Sequence, residues 1–269
     1  MLGKIQPGNF ATALPFPMLM KTFRHCFLTL VVAVLLIGCA ATGDPANDDA
    51  DPLESYNRAM FAFNEAADRA IFKPVAQAYQ AVLPDPVIAS VGNFFSNIND
   101  VIVLVNDILQ FKFHQAAMDS SRIVANTTFG LGGLFNVASR MELPKHNEDF
   151  GQTLGYWGIG EGYYIVLPLL GPSTIRDTVG LAGDFMISPI DWATDSETVE
   201  WSLWGLNLIN RRAGLLRVER AFADAQIDPY TFRRSAYLQQ RRNLVSDGSP
   251  SKPDFDFGAD PDEKPQSPP

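Results

Sequence analysis

Histidine is the side chain that most often transfers protons in enzymes, and this chain contains three: His25, His114 and His146. Only His146 lies in a strongly acidic segment, where Asp149 follows three residues later. Such a pair could supply the base of a hydrolase, but a polar loop histidine has the same pattern and is the interpretation we favour. The chain contains no Gly-x-Ser-x-Gly motif, the nucleophile elbow of lipases. We therefore predict no catalytic residues and no enzyme activity.

The glycine-rich runs at residues 130–133 and 158–162 lack the preceding strand and the spacing of a nucleotide-binding loop. No cluster of histidines and carboxylates has the spacing of a metal site. No basic patch with interleaved aromatic residues is present, which argues against nucleic-acid binding. The sequence predicts no metal, no cofactor and no nucleic-acid partner.

Residues 27–37 form an almost uninterrupted apolar run, and Lys21 and Arg24 precede it. Eleven residues at about 1.5 Å each span only about half of a bilayer core, so the run is too short for a transmembrane helix. A positive segment followed by a short apolar one is typical of a signal peptide. We assign residues 1–38 to that peptide, and the natural start is predicted at Met18 or Met20.

The apolar run ends in Leu-Ile-Gly-Cys39, which resembles the lipobox of bacterial lipoproteins. In that class Cys39 receives a diacylglyceryl group, the chain is cut before it, and the new amine is acylated. An ordinary signal peptide that ends in a cysteine is the alternative. The other cysteine, Cys26, lies in the removed segment, so the mature chain can form no intramolecular disulfide. By resemblance to lipoprotein sorting, Ala40 in place of aspartate indicates the outer membrane.

The net charge of −9 is concentrated at the two ends of the mature chain. Residues 39–50 are predicted to be a flexible tether from the lipidated cysteine. Residues 247–269 are predicted to be a disordered, acidic, proline-rich tail, since both segments lack branched apolar residues. Residues 51–246 remain as a single domain.

This domain is predicted to be all-α. Asp51 is expected to be the N-cap of the first helix, with Pro52 at N1 and Glu54 at N3. Asp228, which a proline also follows, is expected to be the N-cap of the last helix. Prolines at 84 and 86 are predicted to break the helices, and a helix is expected over residues 115–128. The arginines of the last helix, among them Arg241, are expected to face its C-terminal dipole. Residues 134–172, rich in glycine and aromatic residues, are predicted to be a loop with a short extended piece.

Several helices carry wide apolar faces, and the chain contains 19 phenylalanines. For any single phenylalanine, a place in the core is the simpler interpretation. On a lipid-anchored protein, however, such faces can lie in the membrane interface. The residues predicted to face the membrane are Phe61, Phe63, Phe72, Phe94, Phe95, Ile98 and Ile102.

Long blocks of the domain form a distinctive pattern, which begins with DPLESYNRAMFAFN at residues 51–64 and continues at 73–76, 122–138, 149–164, 167–168, 171–177, 228–230 and 237–241. In sequence and in order, these blocks resemble the MlaA (VacJ) lipoprotein family. The resemblance implies an all-helical, ring-like protein embedded in the inner leaflet of the outer membrane. It implies association with a trimeric porin, and transport of misplaced outer-leaflet phospholipids to a periplasmic carrier protein, which maintains lipid asymmetry.

Such a transporter needs apolar surroundings for the tails, because exposing about thirty methylenes to water costs roughly 24 kcal/mol. Amphipathic helices closed into a ring, with apolar residues outside and a milder inside, would provide them. Gly155, Gly158, Gly160 and Gly162 are predicted to form a gate, so valine at 155 or 160 should impair transport. The covalent lipid and the transported phospholipid are the only ligands expected. A non-catalytic envelope scaffold and, less favoured, a phospholipase are the alternatives.

Overall fold

The computed structural model describes residues 51–222 and 228–248. The helices are α1 (Glu54–Ala67), α2 (Lys73–Val82), α3 (Asp85–Leu109), α4 (Phe113–Thr128), α5 (Phe150–Tyr156), α6 (Ile175–Ile187), α7 (Pro189–Ala193), α8 (Glu197–Phe222) and α9 (Pro229–Val245). A π-helical turn (Asp68–Phe72) joins α1 to α2, and a 3₁₀ turn (Ala138–Met141) follows α4. Strands β1 (Tyr164–Leu167) and β2 (Gly171–Thr174) pair antiparallel as a small hairpin. The all-α prediction is confirmed. The predicted signal peptide, Cys39, the tether and residues 249–269 lie outside the described residues.

One predicted helix start, at Asp228, and one predicted break, at Pro84, are confirmed, whereas the predicted start at Asp51 is wrong. Asp228 caps α9 by accepting a hydrogen bond from the Tyr230 amide at 3.0 Å, and Pro84 separates α2 from α3 in extended conformation. The first helix begins only at Glu54, not after Asp51. Asp51 accepts hydrogen bonds from the Leu53 amide and the Asn57 side chain, so it stabilises the turn that precedes the helix.

Residues 134–172 are more structured than predicted. The short extended piece is present as β1 and β2, but residues 150–156 form α5 rather than a loop. Asp149 caps α5 by accepting a hydrogen bond from the Gln152 amide at 2.9 Å. The glycines at 151 and 155 lower the intrinsic helix propensity of this segment, and tertiary packing overrides that cost.

The packed elements form a closed circuit. Helix α2 packs on α8, α8 on α3, α3 on α5 and α5 on α9. Helix α9 then contacts β2, and β1 contacts α1, which returns to α2 through the π-helical turn. Two long helices, α3 and α4, pack along each other on one side of this circuit.

The polarity of the bundle is inverted relative to a typical soluble domain. Arg122, Asp100 and Asp107 are at most 1% exposed, whereas Phe129 and Trp192 are more than two-thirds exposed. In water-soluble proteins, charged side chains are almost never fully buried unless they are paired. In the part of the chain that the structure describes, one helix, α3, is long and apolar enough to cross a membrane by length and composition alone. Its buried acids make it amphipathic, which fits a helix lying in a membrane interface.

Candidate functional site: a polar interior within an apolar surface

Most of the residues that the sequence predicted to face a membrane are at least partly exposed. Phe63 is 50% exposed, and Phe72, Phe94, Ile98 and Ile102 are half-buried. Phe61 is also half-buried, but it packs on the buried Tyr230, with ring centroids 5.9 Å apart. Phe95 is 4% exposed, so its predicted outward orientation is wrong. It lies eight residues before the fully buried Val103, and that spacing puts both on the inward side of α3. Membrane contact by the other six stays a prediction.

Facing residues of α3 and α4 form the first polar cluster of the interior. Asp100 on α3 is fully buried, and Arg122 on α4 lies with its Nε 3.5 Å from the Asp100 carboxylate. Lys145 reaches in from the following loop and binds the same carboxylate. Arg122 also donates to the Leu143 carbonyl at 2.6 Å, which ties the loop to the helix pair. One buried acid is thus compensated by two cations, as burial in a low-dielectric interior requires.

A second cluster contains the histidine that the sequence singled out. His146 Nδ1 lies 2.8 Å from the carboxylate of Asp119, so the less favoured alternative, a hydrolase base paired with Asp149, does not describe its contact. Burial and the neighbouring carboxyl groups of Asp119 and Glu148 raise the pKa of Asp107 to about 8. Protonation of Asp107 relieves the repulsion between the two buried carboxyl groups. Within the described residues, no group of three or more His, Cys, Asp or Glu side chains could hold a metal ion.

A third cluster attaches the last helix to the bundle. Arg241 on α9 donates to both oxygens of Asp149, at 2.6 and 2.9 Å, and to Asp177 on α6 at 2.9 Å. Burial alone would raise the pKa of both acids, but the hydrogen bonds and charge of Arg241 outweigh it and lower their pKa values. Nearby Asp184 has no such partner arginine in contact, and burial together with the Asp149 charge raises its pKa to about 7. The sequence did not predict this ion pairing, and the interaction of Arg241 with the helix dipole stays a prediction.

Two asparagines of α1 hold the hairpin as a neighbouring strand would. Asn57 donates to the Tyr164 carbonyl at 3.1 Å and accepts from the Val166 amide at 2.8 Å. Asn64, two helical turns later, donates to the Leu167 carbonyl at 2.9 Å and accepts from the Leu169 amide at 2.7 Å. Each amide thus satisfies a C=O and an N–H that an edge strand would leave unpaired.

The four predicted gate glycines have different surroundings. A Cβ at Gly155 would lie 2.8 Å from a methyl group of Val245 on α9, so this glycine permits close helix packing. Gly158 and Gly162 have φ values of +88° and +67°, a backbone conformation that side chains disfavour. A Cβ at Gly160 would meet nothing within 4 Å. The structure therefore gives a reason for the predicted valine effect at Gly155 and none at Gly160.

The buried polar residues are the functional candidates that sequence reasoning missed. The available signal was their spacing: Asn97, Asp100 and Asp107 of α3, with Gln110 directly after the helix, are separated by three or seven residues. A polar stripe on an apolar helix is normally a solvated face. Here it faces the interior of the bundle, where the three clusters described above lie.

Comparisons with known proteins agree with this architecture. A family model described as "MlaA lipoprotein" matches residues 49–244. The intermembrane phospholipid transport system lipoproteins MlaA of Shigella flexneri and Escherichia coli are each 36% identical over 225 residues, 81% of this chain and 87% of theirs. The Haemophilus influenzae protein of that name is 32% identical and covers 85% of this chain and 93% of its own. A solved structure, from "Structural basis for maintenance of bacterial outer membrane lipid asymmetry", matches with a TM-score of 0.65 and 32% identity, over 73% of this chain and 99% of that one. The chain therefore belongs to the MlaA lipoprotein family.

Proposed function

We propose that this protein is an outer-membrane lipoprotein of intermembrane phospholipid transport, which removes phospholipids from the outer leaflet and thereby maintains lipid asymmetry. The observation that carries this proposal is the inverted polarity: charged residues such as Asp100 and Arg122 are buried while large apolar side chains cover the surface. The family membership supports it, since relatives named for intermembrane phospholipid transport match over most of the chain.

Inverted polarity suits a protein that moves two-chain lipids along a membrane. Each methylene exposed to water costs about 0.8 kcal/mol, so the tails must stay in apolar surroundings throughout. A polar interior offers hydrogen-bonding partners to a headgroup, while the outer surface stays in contact with acyl chains. We propose that the helices lie in the plane of the inner leaflet and do not span the bilayer, because α3 is amphipathic, with acids on its inward face and apolar residues on the other.

We propose that Cys39 carries the lipid anchor. The chain from Cys39 to Asp51 can reach at most about 40 Å, so the anchor keeps the domain at the membrane surface. A porin trimer beside the domain would give outer-leaflet lipids a path to it, and a soluble periplasmic carrier would accept them. We propose no bound cofactor beyond the covalent lipid, and no enzymatic step in transport.

The test is deletion of the gene, followed by measurement of outer-leaflet phospholipid with an outer-membrane lipid-modifying reporter enzyme. The deletion strain is complemented with the wild type or with Cys39→Ala, and mass spectrometry of the wild-type protein checks the lipid on Cys39. We expect outer-leaflet phospholipid to rise on deletion and to return to normal only with the lipidated protein. Unchanged surface phospholipid on deletion would refute transport and favour a scaffold.

A phospholipase would give a different result in the same strains. The His146–Asp119 pair is the arrangement closest to an acid–base device in the described residues, so His146→Ala is the informative variant. We expect it to restore lipid asymmetry, and we expect purified wild-type protein to release no fatty acid or lysolipid from phospholipid vesicles. Release of either product, lost in His146→Ala, would contradict the non-catalytic function.

A further inference from the structure

Five residues other than glycine have positive φ in the part of the chain that the structure describes, and they fall into two chemical groups. Phe111, Leu131 and Leu169 are large and apolar, with φ values of 60°, 53° and 62°. Glu142 and Asp247 are acidic, with φ values of 58° and 51°. Left-handed backbone is uncommon for any side chain other than asparagine or aspartate, and a bulky apolar residue there is an outlier.

The three apolar residues are also exposed: Phe111 is 68%, Leu131 67% and Leu169 52% accessible. In water, both the backbone conformation and the exposure would favour a glycine or an asparagine at each turn. Leu131 has glycines on both sides, so the turn is already rich in the residue that suits this backbone. The leucine therefore requires a reason outside the backbone.

Each of these residues heads a cluster of exposed apolar side chains. Phe111 contacts Phe113, with ring centroids 6.2 Å apart. Residues 130–135 and 167–172 contain no charged residue, and exposed side chains beside Leu131 and Leu169 include Phe129, Phe135 and Leu170. Exposed apolar patches of this kind indicate a surface that another apolar phase covers.

We propose that these three turns, headed by Phe111, Leu131 and Leu169, are insertion tips that penetrate the acyl region of the bilayer. This inference rests on the proposed membrane location and assigns it to specific residues. The occupant is lipid rather than protein because the three tips lie at separate turns. Helix α4, 16 residues and about 24 Å long, separates the first tip from the second. The acyl region of a bilayer is continuous, so it contacts all three tips at once when α4 lies parallel to the membrane.

Two further contacts fit this placement. Lys112, next to the first tip, is neutralised by the buried Glu148 and the half-exposed Asp247, so no unpaired positive charge accompanies Phe111. The third tip is held by Asn64, whose side-chain oxygen accepts the Leu169 amide at 2.7 Å. The left-handed turn is thus fixed from the protein side while its leucine remains free to contact lipid.

The experiment places single cysteines at the tips (Phe111→Cys, Leu131→Cys, Leu169→Cys) of the full lipoprotein. A fluorescent NBD label is attached, and the protein is reconstituted in phosphatidylethanolamine–phosphatidylglycerol vesicles. Lipids with a nitroxide on the acyl chain report membrane insertion, and iodide reports exposure to water. Wild-type protein gives the labelling background. Glu142→Cys is the matched control, since it has the same backbone conformation with a polar side chain, and Val124→Cys reports the exposed face of α4.

We expect nitroxide quenching at the three tips to exceed that at Glu142→Cys several-fold, with the reverse order for iodide. If Val124→Cys is quenched by nitroxide while the tips follow Glu142→Cys, the insertion tips are refuted and the membrane location stands. If every label is quenched by iodide and none by the nitroxide lipids, both the insertion tips and the proposed membrane location are refuted. The second measurement uses a variant with asparagine at all three tips, a residue that suits the left-handed backbone and preserves the fold. It should make the Val124→Cys label several-fold more accessible to iodide, and unchanged access would overturn the proposal.

Discussion

Arg241 is predicted to be the most sensitive single position of the domain. It is 8% exposed and bridges Asp149, which caps α5, to Asp177 near the start of α6. Replacement by alanine leaves the largely buried Asp149 carboxylate without its cation, and Asp177 keeps only its pair with Arg176. Breaking a buried ion pair in this way costs about 3–5 kcal/mol, a large share of a typical stability of roughly 5–15 kcal/mol.

The neighbouring Arg242 provides the matched control. Its pair with Glu161 is formed by side chains that are 43% and 28% exposed. Exposed pairs of this kind contribute roughly 0–1 kcal/mol. We therefore expect Arg241→Ala to lower the free energy of unfolding by at least about 2 kcal/mol more than Arg242→Ala does. Urea unfolding of the lipoprotein in detergent micelles, followed by circular dichroism, measures both.

The pH dependence of this difference tests its cause. In the wild type, Arg241 holds the pKa values of Asp149 and Asp177 below the ordinary value. The stability they contribute is present above the unfolded pKa of about 4 and is lost as the pH falls through the folded values. Without Arg241, burial raises the pKa of Asp149, so its protonation at low pH relieves the variant. The deficit should be largest near neutral pH and shrink towards pH 4. An equal deficit for the two arginine variants, or one independent of pH, would refute this reasoning.

Three further predictions concern other parts of the interior. The pKa of Asp184 is raised to about 7, so its protonated form stabilises the fold and this contribution is lost as the pH rises through 7. Asp184→Asn should gain on the order of 1–3 kcal/mol relative to wild type between pH 5 and 9 in urea unfolding, and parallel pH profiles would contradict this. Asn57→Ala leaves a buried N–H and C=O unpaired and should lower the free energy of unfolding by about 2–4 kcal/mol. Asn64→Ala, at the more exposed end of the hairpin, should lower it by about 1 kcal/mol in the same assay. Equal losses for the two variants would count against the strand-like pairing. Gly155→Val should displace α9 and raise outer-leaflet phospholipid in the reporter strain, and Gly160→Val, which meets open space, should not; the reverse order would refute the packing role.

Local rules predicted the helices well because each start and break has a local cause. Asp228 and the proline after it start α9, and Pro84, in extended conformation, separates α2 from α3. The same rules missed α5, since Gly151 and Gly155 lower the helix propensity of a segment held by tertiary contact. A Cβ at Gly180 on α6 would lie 2.3 Å from the backbone nitrogen of Gly151, so these helices meet backbone to backbone. Such an approach depends on a partner distant in sequence, which no local pattern contains.

The direction of each helix face could not be predicted from periodicity alone. A stripe of apolar residues with a period of about 3.6 is the same whether it faces the core or the lipid. This ambiguity explains the error at Phe95, which lies inward although its neighbour Phe94 is half-buried. The pairing of Arg241 with Asp149, 92 residues away, and of His146 with Asp119 is likewise set by the tertiary fold.

The inverted polarity also decides which contacts hold the domain together. In the proposed membrane location, an exposed phenylalanine gains nothing by leaving lipid for another apolar surface, so apolar faces contribute little to helix association. Cohesion must then come from close packing at glycines and from polar contacts inside, such as the Arg241 pairs and the Asn57 bridge to β1. The buried apolar clusters that the structure does contain are small; one consists of Ala76, Ala213 and Leu216. It follows that single substitutions of buried polar residues should destabilise this protein more than apolar truncations on its surface.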